Sequence, residues 1–117
     1  MFELFTNEQR TQMVENFRVN ATKHKAGEPK SDFKPVVRLF IPAGRVTWLL
    51  TEYDPEFGIL FGLCDKGFGF PEVGNVALEE LQAVTDASGI NADATFQATK
   101  TLSEYAANAR RDGCITV

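Results

Sequence analysis

Pro35-Val36-Val37-Arg38-Leu39-Phe40-Ile41, then Pro42-Ala43-Gly44, then Val46-Thr47-Trp48-Leu49-Leu50-Thr51 is the stretch whose reading decides the fold. The first run is rich in β-branched and aromatic residues, which suit a pleated surface. The Pro-Ala-Gly triplet is a turn signal. In the second run Val46, Trp48 and Leu50 alternate with Thr47, Leu49 and Thr51, the period of a half-buried strand. Trp48 is expected to anchor the core, with Thr47 and Thr51 on the opposite, solvated face. A parallel crossover needs about a dozen residues, so the short link predicts an antiparallel hairpin.

Working outward, Asp54-Pro55-Glu56 breaks the second strand. Ile59 to Cys64 is apolar at both parities and predicts a central strand covered on both faces. Lys66 to Gly74 is rich in glycine and aromatic residues. Asn75-Val76-Ala77 predicts a short strand, and Leu78-Glu79-Glu80-Leu81 with Val84 a short helix. Residues 85–95 are small and polar and predict mostly loop, followed by an edge strand at Thr95-Phe96-Gln97. Upstream, Thr6-Asn7-Glu8-Gln9 is a capping box that opens a helix ending near His24. Met13, Phe17 and Ala21, with Val14 beside them, supply its apolar face. Gly27 and Pro29 stop it, and residues 25–34 predict an exposed loop. Downstream, Thr101-Leu102-Ser103-Glu104 is a second capping box, opening a helix to about Arg110. Arg110 and Arg111 suit its negative dipole end, and Gly113 ends it. The order predicts an α+β fold: an antiparallel β-sheet of about four strands with an N-terminal and a C-terminal helix packed on it. No linker divides residues 1–117, so one domain is expected.

Composition narrows the function classes. Of 117 residues, 44% are hydrophobic and ten are phenylalanine, enough for a core without staples. No apolar run approaches the ~20 residues that span a bilayer. Met1 to Arg10 contains Glu3 and Glu8 and no apolar signal core, so a cytoplasmic protein is expected. Cys64 and Cys114 are expected as free thiols. One histidine and no Cys-x-x-Cys pair leave no zinc motif, and no metal or cofactor is expected. His24 reads as a solvated residue at a helix end. Residues 39–98 hold nine carboxylates against Arg45 and Lys66, so the middle of the chain is acidic. That balance repels phosphate and favours a basic partner.

Two groups of residues carry the candidate chemistry. Lys66-Gly67-Phe68-Gly69-Phe70 matches the opening of an RNA-binding pentad in which aromatic rings on a sheet stack bases. It is similar to the same pentad of cold-shock domains. The match ends there: Pro71 cannot donate to a central ladder, and Asp65 and Glu72 oppose phosphate. A loop whose rings tuck back into the core is the expectation, and direct nucleic-acid binding is disfavoured. The second group is Glu52, Asp54 and Glu56 around a turn. Such carboxylates serve a hard cation or an acid–base pair, but no supporting motif accompanies them. No catalytic residue is assigned. Thr51, Glu52 and Tyr53 remain as a polar surface presented by a rigid strand.

Several of these residues together resemble a known family. They are Leu4-Phe5-Thr6, the Pro-x-Gly-x-x-Thr-Trp-x-x-Thr-Glu run from Pro42 to Glu52, Leu60-Phe61-Gly62-Leu63, Glu72-Val73-Gly74, Leu78-Glu79-Glu80-Leu81, Phe96 and Leu102-Ser103-Glu104. The pattern resembles an uncharacterised bacterial family, domain of unknown function 2958, found on plasmids, phages and integrated conjugative elements. Members tend to carry aromatic residues after the Glu-x-Gly motif, where this chain has Asn75 and Val76. The resemblance implies an accessory role on mobile elements and carries over no catalytic residue.

The leading expectation is a non-enzymatic protein whose acidic middle mimics nucleic acid and engages a basic protein surface, such as that of a host defence or DNA-processing complex. Its contact residues would be Thr51, Glu52, Tyr53, Asp54, Glu56, Asp65, Phe68, Phe70 and Glu72. The alternatives are a small metal-dependent nucleic-acid-processing enzyme built on Glu52, Asp54 and Glu56, and a single-strand binder built on Phe68 and Phe70.

Overall fold

Helix α1 spans Asn7–Lys25 and begins at the expected box: Gln9 N donates to Thr6 Oγ1 at 3.1 Å and Thr6 N donates to Gln9 Oε1 at 2.8 Å. The computed structural model describes residues 4–117, so Glu3, used above to read the N-terminus, lies outside the described residues. Strands β1 (Val37–Phe40), β2 (Thr47–Asp54), β3 (Ile59–Asp65) and β4 (Glu72–Ala77) follow as an antiparallel meander. Helix α2 (Leu78–Ser88) then carries the chain from the β4 edge to the opposite edge, where β5 (Asn91–Ala92) pairs with β1. Helix α3 (Leu102–Asp112) closes the fold. The sheet order is β4-β3-β2-β1-β5. The α+β class, the antiparallel hairpin and both terminal helices are as expected, and among the described residues the sheet has five strands instead of about four.

Three local expectations need correction. β4 begins at Glu72, three residues before the strand expected at Asn75, because its backbone pairs with β3 from Cys64↔Glu72 onward. Residues 85–88 continue α2, which ends at Gly89 in the left-handed region (φ +72°). Thr95-Phe96-Gln97 is not a strand among the described residues. Thr95 N and Oγ1 both donate to Asp93 Oδ1, which turns the chain there, and β1 takes Asn91 and Ala92 at its edge instead. Arg38 Nη1 pairs with Asp93 Oδ2 at 2.9 Å beside this join.

Each face of the sheet has its own core. On the first, Leu39, Trp48, Leu50, Tyr53 and Leu60 pack with Met13 of α1 and Leu81 of α2. On the second, Leu49 and Leu63 pack with Leu102, Tyr105, Ala106 and Ala109 of α3. Trp48 anchors the first core as expected. Thr47 and Thr51 do not face solvent: they are 9% and 1% exposed. Thr47 precedes Leu49 on the face that α3 covers.

Thr51 is buried for a different reason. Leu50 pairs with Gly62 and Glu52 with Phe61, so Thr51 is the extra residue of a β-bulge. Its Oγ1 donates to Phe61 O at 3.3 Å, and its carbonyl accepts from Asn16 Nδ2 at 3.0 Å. Strand periodicity is two, so one inserted residue flips every later side chain. Tyr53 therefore joins Trp48 and Leu50 on the first face, while Glu52 and Asp54 join Leu49 on the second. Gly62 faces this irregularity. A Cβ there would collide with the Leu49 carbonyl and come within 2.8 Å of Leu50 Cα. Gly62→Ala is expected to lower stability by about 1–3 kcal/mol, the usual range for overpacking, read as an earlier urea unfolding midpoint.

Candidate functional site

Beyond the Val37↔Leu50 pair, β1 no longer borders β2, and α1 takes over that edge. The helix does so with polar residues. Asn16 is 4% and Asn20 2% exposed, and with Met13 they form the buried stripe of α1. Asn20 Oδ1 accepts from Ser31 N at 2.7 Å, and Nδ2 donates to Ser31 O and to Glu52 Oε2, each at 3.1 Å. One amide thus ties the loop after α1 to Glu52 and leaves no donor unmet. The sequence reading gave the helix face to Met13, Phe17 and Ala21 and missed both asparagines. Their spacing from Met13, at i+3 and i+7, was the available signal.

Past the bulge, Phe61 still packs against the α3 core, and beside it the second face opens. A groove of about 670 Å³ opens there. Ile59, Phe61 and Val73 form its floor, Leu102 and Ala106 one wall, and Phe17 another. Glu52, 9% exposed, sits at its base beside Asp54. Burial raises the Glu52 pKa, and the Asn20 hydrogen bond and the charge of Lys30 offset only part of that. Asp32 lines the same groove and shifts the other way. Burial pushes it up, but hydrogen bonds from Ser103 and Thr101 outweigh that and hold it below the ordinary range. Its carboxylate caps the start of α3, accepting from Ser103 N at 3.1 Å and from Ser103 Oγ.

A second feature is the β3–β4 turn. Gly67 and Gly69 lie at φ +85° and +86°, a region that L side chains seldom enter. Asp65, 2% exposed, braces the turn: Oδ1 accepts from Gly67 N at 2.8 Å and Oδ2 from Ile115 N at 2.9 Å. Between the glycines the chain turns its rings outward. Phe68 is 80% and Phe70 81% exposed, so the expectation that they tuck into the core is overturned, and Pro71 is the buried residue of the turn. Phe68 borders a second groove, of about 430 Å³, between α2 and the β3–β4 pair. Val76, Leu81 and Val84 give it apolar walls, and Lys66, Glu72 and Glu80 also line it. Cys64 lines it too, and burial raises its thiol pKa, which suits packing better than nucleophilic chemistry. Both cysteines are free thiols.

The candidate residues therefore separate. Thr51, Tyr53 and Asp65 are interior, and Tyr53 lies under the Arg10 guanidinium at 4.9 Å. Glu52 and Asp54 share the first groove. Glu56 is exposed, and its N–H donates to Asp54 Oδ1 at 3.0 Å within the turn. Phe68 and Glu72 are exposed at the second groove, and Phe70 is exposed on the same turn. Among the described residues no three acidic, histidine or cysteine side chains converge on one point. The nine carboxylates of residues 39–98 do not gather on one side. Asp65 is inside, Asp93 is paired with Arg38, Glu52 and Asp54 lie on the second face, and Glu79, Glu80 and Asp86 ride on α2 over the first. No helix among the described residues is long and apolar enough to cross a membrane.

A family model described as "Protein of unknown function (DUF2958)" matches residues 4–116. The chain belongs to that family. The match covers the residues of both grooves, the bulge and the braced turn. No curated protein and no solved structure matches the chain.

Glu52 has a measurable consequence. Its folded pKa is raised above the ordinary value of 4.5, so the folded state binds this proton more tightly than the unfolded one. The stability it contributes is present at acid pH and falls as pH rises through 4.5 toward the folded value. Glu52→Gln keeps an oxygen for Asn20 and removes the buried charge. The variant is expected to be more stable than the wild type at neutral pH, with the gain shrinking toward acid pH, as read from urea midpoints across a pH series.

Proposed function

We propose that this protein acts without catalysis, by binding another protein, as an accessory of a mobile element directed at a host defence or DNA-processing complex. The observation that carries the reading is the outward pair Phe68 and Phe70, 80% and 81% exposed on a turn that Asp65 braces by hydrogen bonds from Gly67 N and Ile115 N. Exposed aromatics on a fixed frame lose little conformational entropy on binding and are the usual anchors of interfaces. The apolar groove beside Phe68, with Glu72 and Glu80 among its lining, is complementary to an amphipathic basic segment of the partner. Because the carboxylates are spread over the molecule, the reading rests on this local patch and not on a nucleic-acid-like acidic face.

A second reading, single-strand nucleic-acid binding, is favoured by one observation: Lys66 and Arg45 flank the same rings. Both are exposed, and a Cβ at Gly67 would lie 3.5 Å from Arg45 Cβ. Stacking on each ring would contribute about 1–3 kcal/mol.

The Phe68→Ala/Phe70→Ala double variant is expected to fold as the wild type does, within about 0.5 kcal/mol, since neither ring is buried. In pull-downs from host lysate across a salt series, the variant is expected to lose the partner that the wild type retains. Glu72→Lys/Glu80→Lys is expected to weaken the same capture most at low salt. A partner held equally by wild type and both variants would remove the patch as the contact surface. Fluorescence titration with oligothymidylate at low salt separates the two readings: tight binding lost in the phenylalanine variant supports the nucleic-acid reading, and no binding ends it.

A further inference from the structure

The groove on the second face leaves one charge only partly compensated. Glu52 is nine-tenths buried at its base, and Oε2 accepts from Asn20 Nδ2 at 3.1 Å. Among the described residues no hydrogen bond reaches Oε1 and no ion pair reaches either oxygen. Around it the surface is apolar and in part aromatic, with Phe17, Phe57 and Phe61 lining the same space. Phe57 is 72% exposed and stands at the mouth. A carboxylate held in apolar surroundings is costly unless a donor or cation meets it. The other charged groups facing the groove do not supply one. Asp32 is committed to Ser103, Asp54 caps its own turn, and Lys30 and Arg110 are exposed residues outside ion-pair distance of Glu52.

We propose that this groove is a binding site for a small organic cation, a guanidinium, amidinium or ammonium group carried on a flat apolar body. The cationic group donates to Glu52 Oε1, and the body lies against Phe61 and Val73 between α3 and α1. The space, about 670 Å³, falls within the ~300–1,000 Å³ of small-molecule pockets. Aromatic lining favours a cation that can also stack. Val73 and Asn75 of the β4 edge line both grooves, but Glu52 lines only this one and Phe68 only the other, so variants at those two residues test the two readings separately.

Benzamidine is the probe, with neutral benzamide as its isostere, each titrated into the full chain and followed by calorimetry and by backbone amide shifts. Benzamidine is expected to saturate and to shift the amides of Ile59, Phe61 and Leu102. Benzamide is expected to bind at least about tenfold more weakly, the least that losing one charge-assisted hydrogen bond should cost. Glu52→Gln keeps the Asn20 contact and is expected to lose a similar factor for benzamidine alone. Wild-type affinity is expected to fall as the pH is lowered and Glu52 takes up its proton. Equal binding of the two probes, unchanged binding in Glu52→Gln, shifts confined to the α2 groove, or no saturable binding would each overturn the assignment.

Discussion

The bulge at Thr51 is the constraint on which the molecule's functional surfaces depend. One extra residue in β2 breaks the alternation that would have placed Glu52 with Trp48 and Leu50. Tyr53 is thereby kept in the first core, and two carboxylates are sent to the second face. Such an irregularity needs support, because the bulged strand loses a neighbour at the same point. Asn16 supplies it by donating to the Thr51 carbonyl, and Gly62 supplies it by presenting no side chain where the backbones close up.

The same constraint accounts for the groove. α3 is a short amphipathic helix whose apolar residues reach the Leu49–Leu63 half of the second face. After the parity change the rest of that face carries Glu52, Asp54 and Phe61, and the groove opens there with Leu102 and Ala106 of α3 along one side. A carboxylate held above its ordinary pKa inside an apolar recess is a stability liability. Proteins commonly retain such liabilities where binding needs them. The braced β3–β4 turn is a second case of the same trade. Asp65 accepts from two backbone amides, and the two phenylalanines stand in solvent on the turn it braces.

Much of the fold was legible because local signals and tertiary packing agreed. Both capping boxes form, Trp48 is buried, and the hairpin across Pro42-Ala43-Gly44 is antiparallel. The failures share a cause. Local preference makes strand β4 too short, because Glu72 and Gly74 have little strand preference and pairing with β3 overrides it. The edge strand was placed at Thr95 because its side chains suit a sheet, whereas Asp93 captures Thr95 in a turn. The site was less legible than the fold. Thr51 and Tyr53 look like surface residues in a regular strand and become interior ones at a bulge.

The sequence by itself determined the helices, the meander of strands and the apolar residues of the first core, because capping, turn chemistry and periodicity act over a few neighbouring residues. It also determined the family, through motifs spread over nearly the whole chain. Only the tertiary structure decided which face Glu52 occupies, that Asn16 and Asn20 are interior, that Phe68 and Phe70 stand in solvent, and that the nine carboxylates are dispersed. Those outcomes hang on strand register and on contacts between residues 30 to 50 positions apart, such as Asn20 with Glu52 and Asp65 with Ile115. Such partners are brought together by the closing of the whole sheet, which no local pattern encodes.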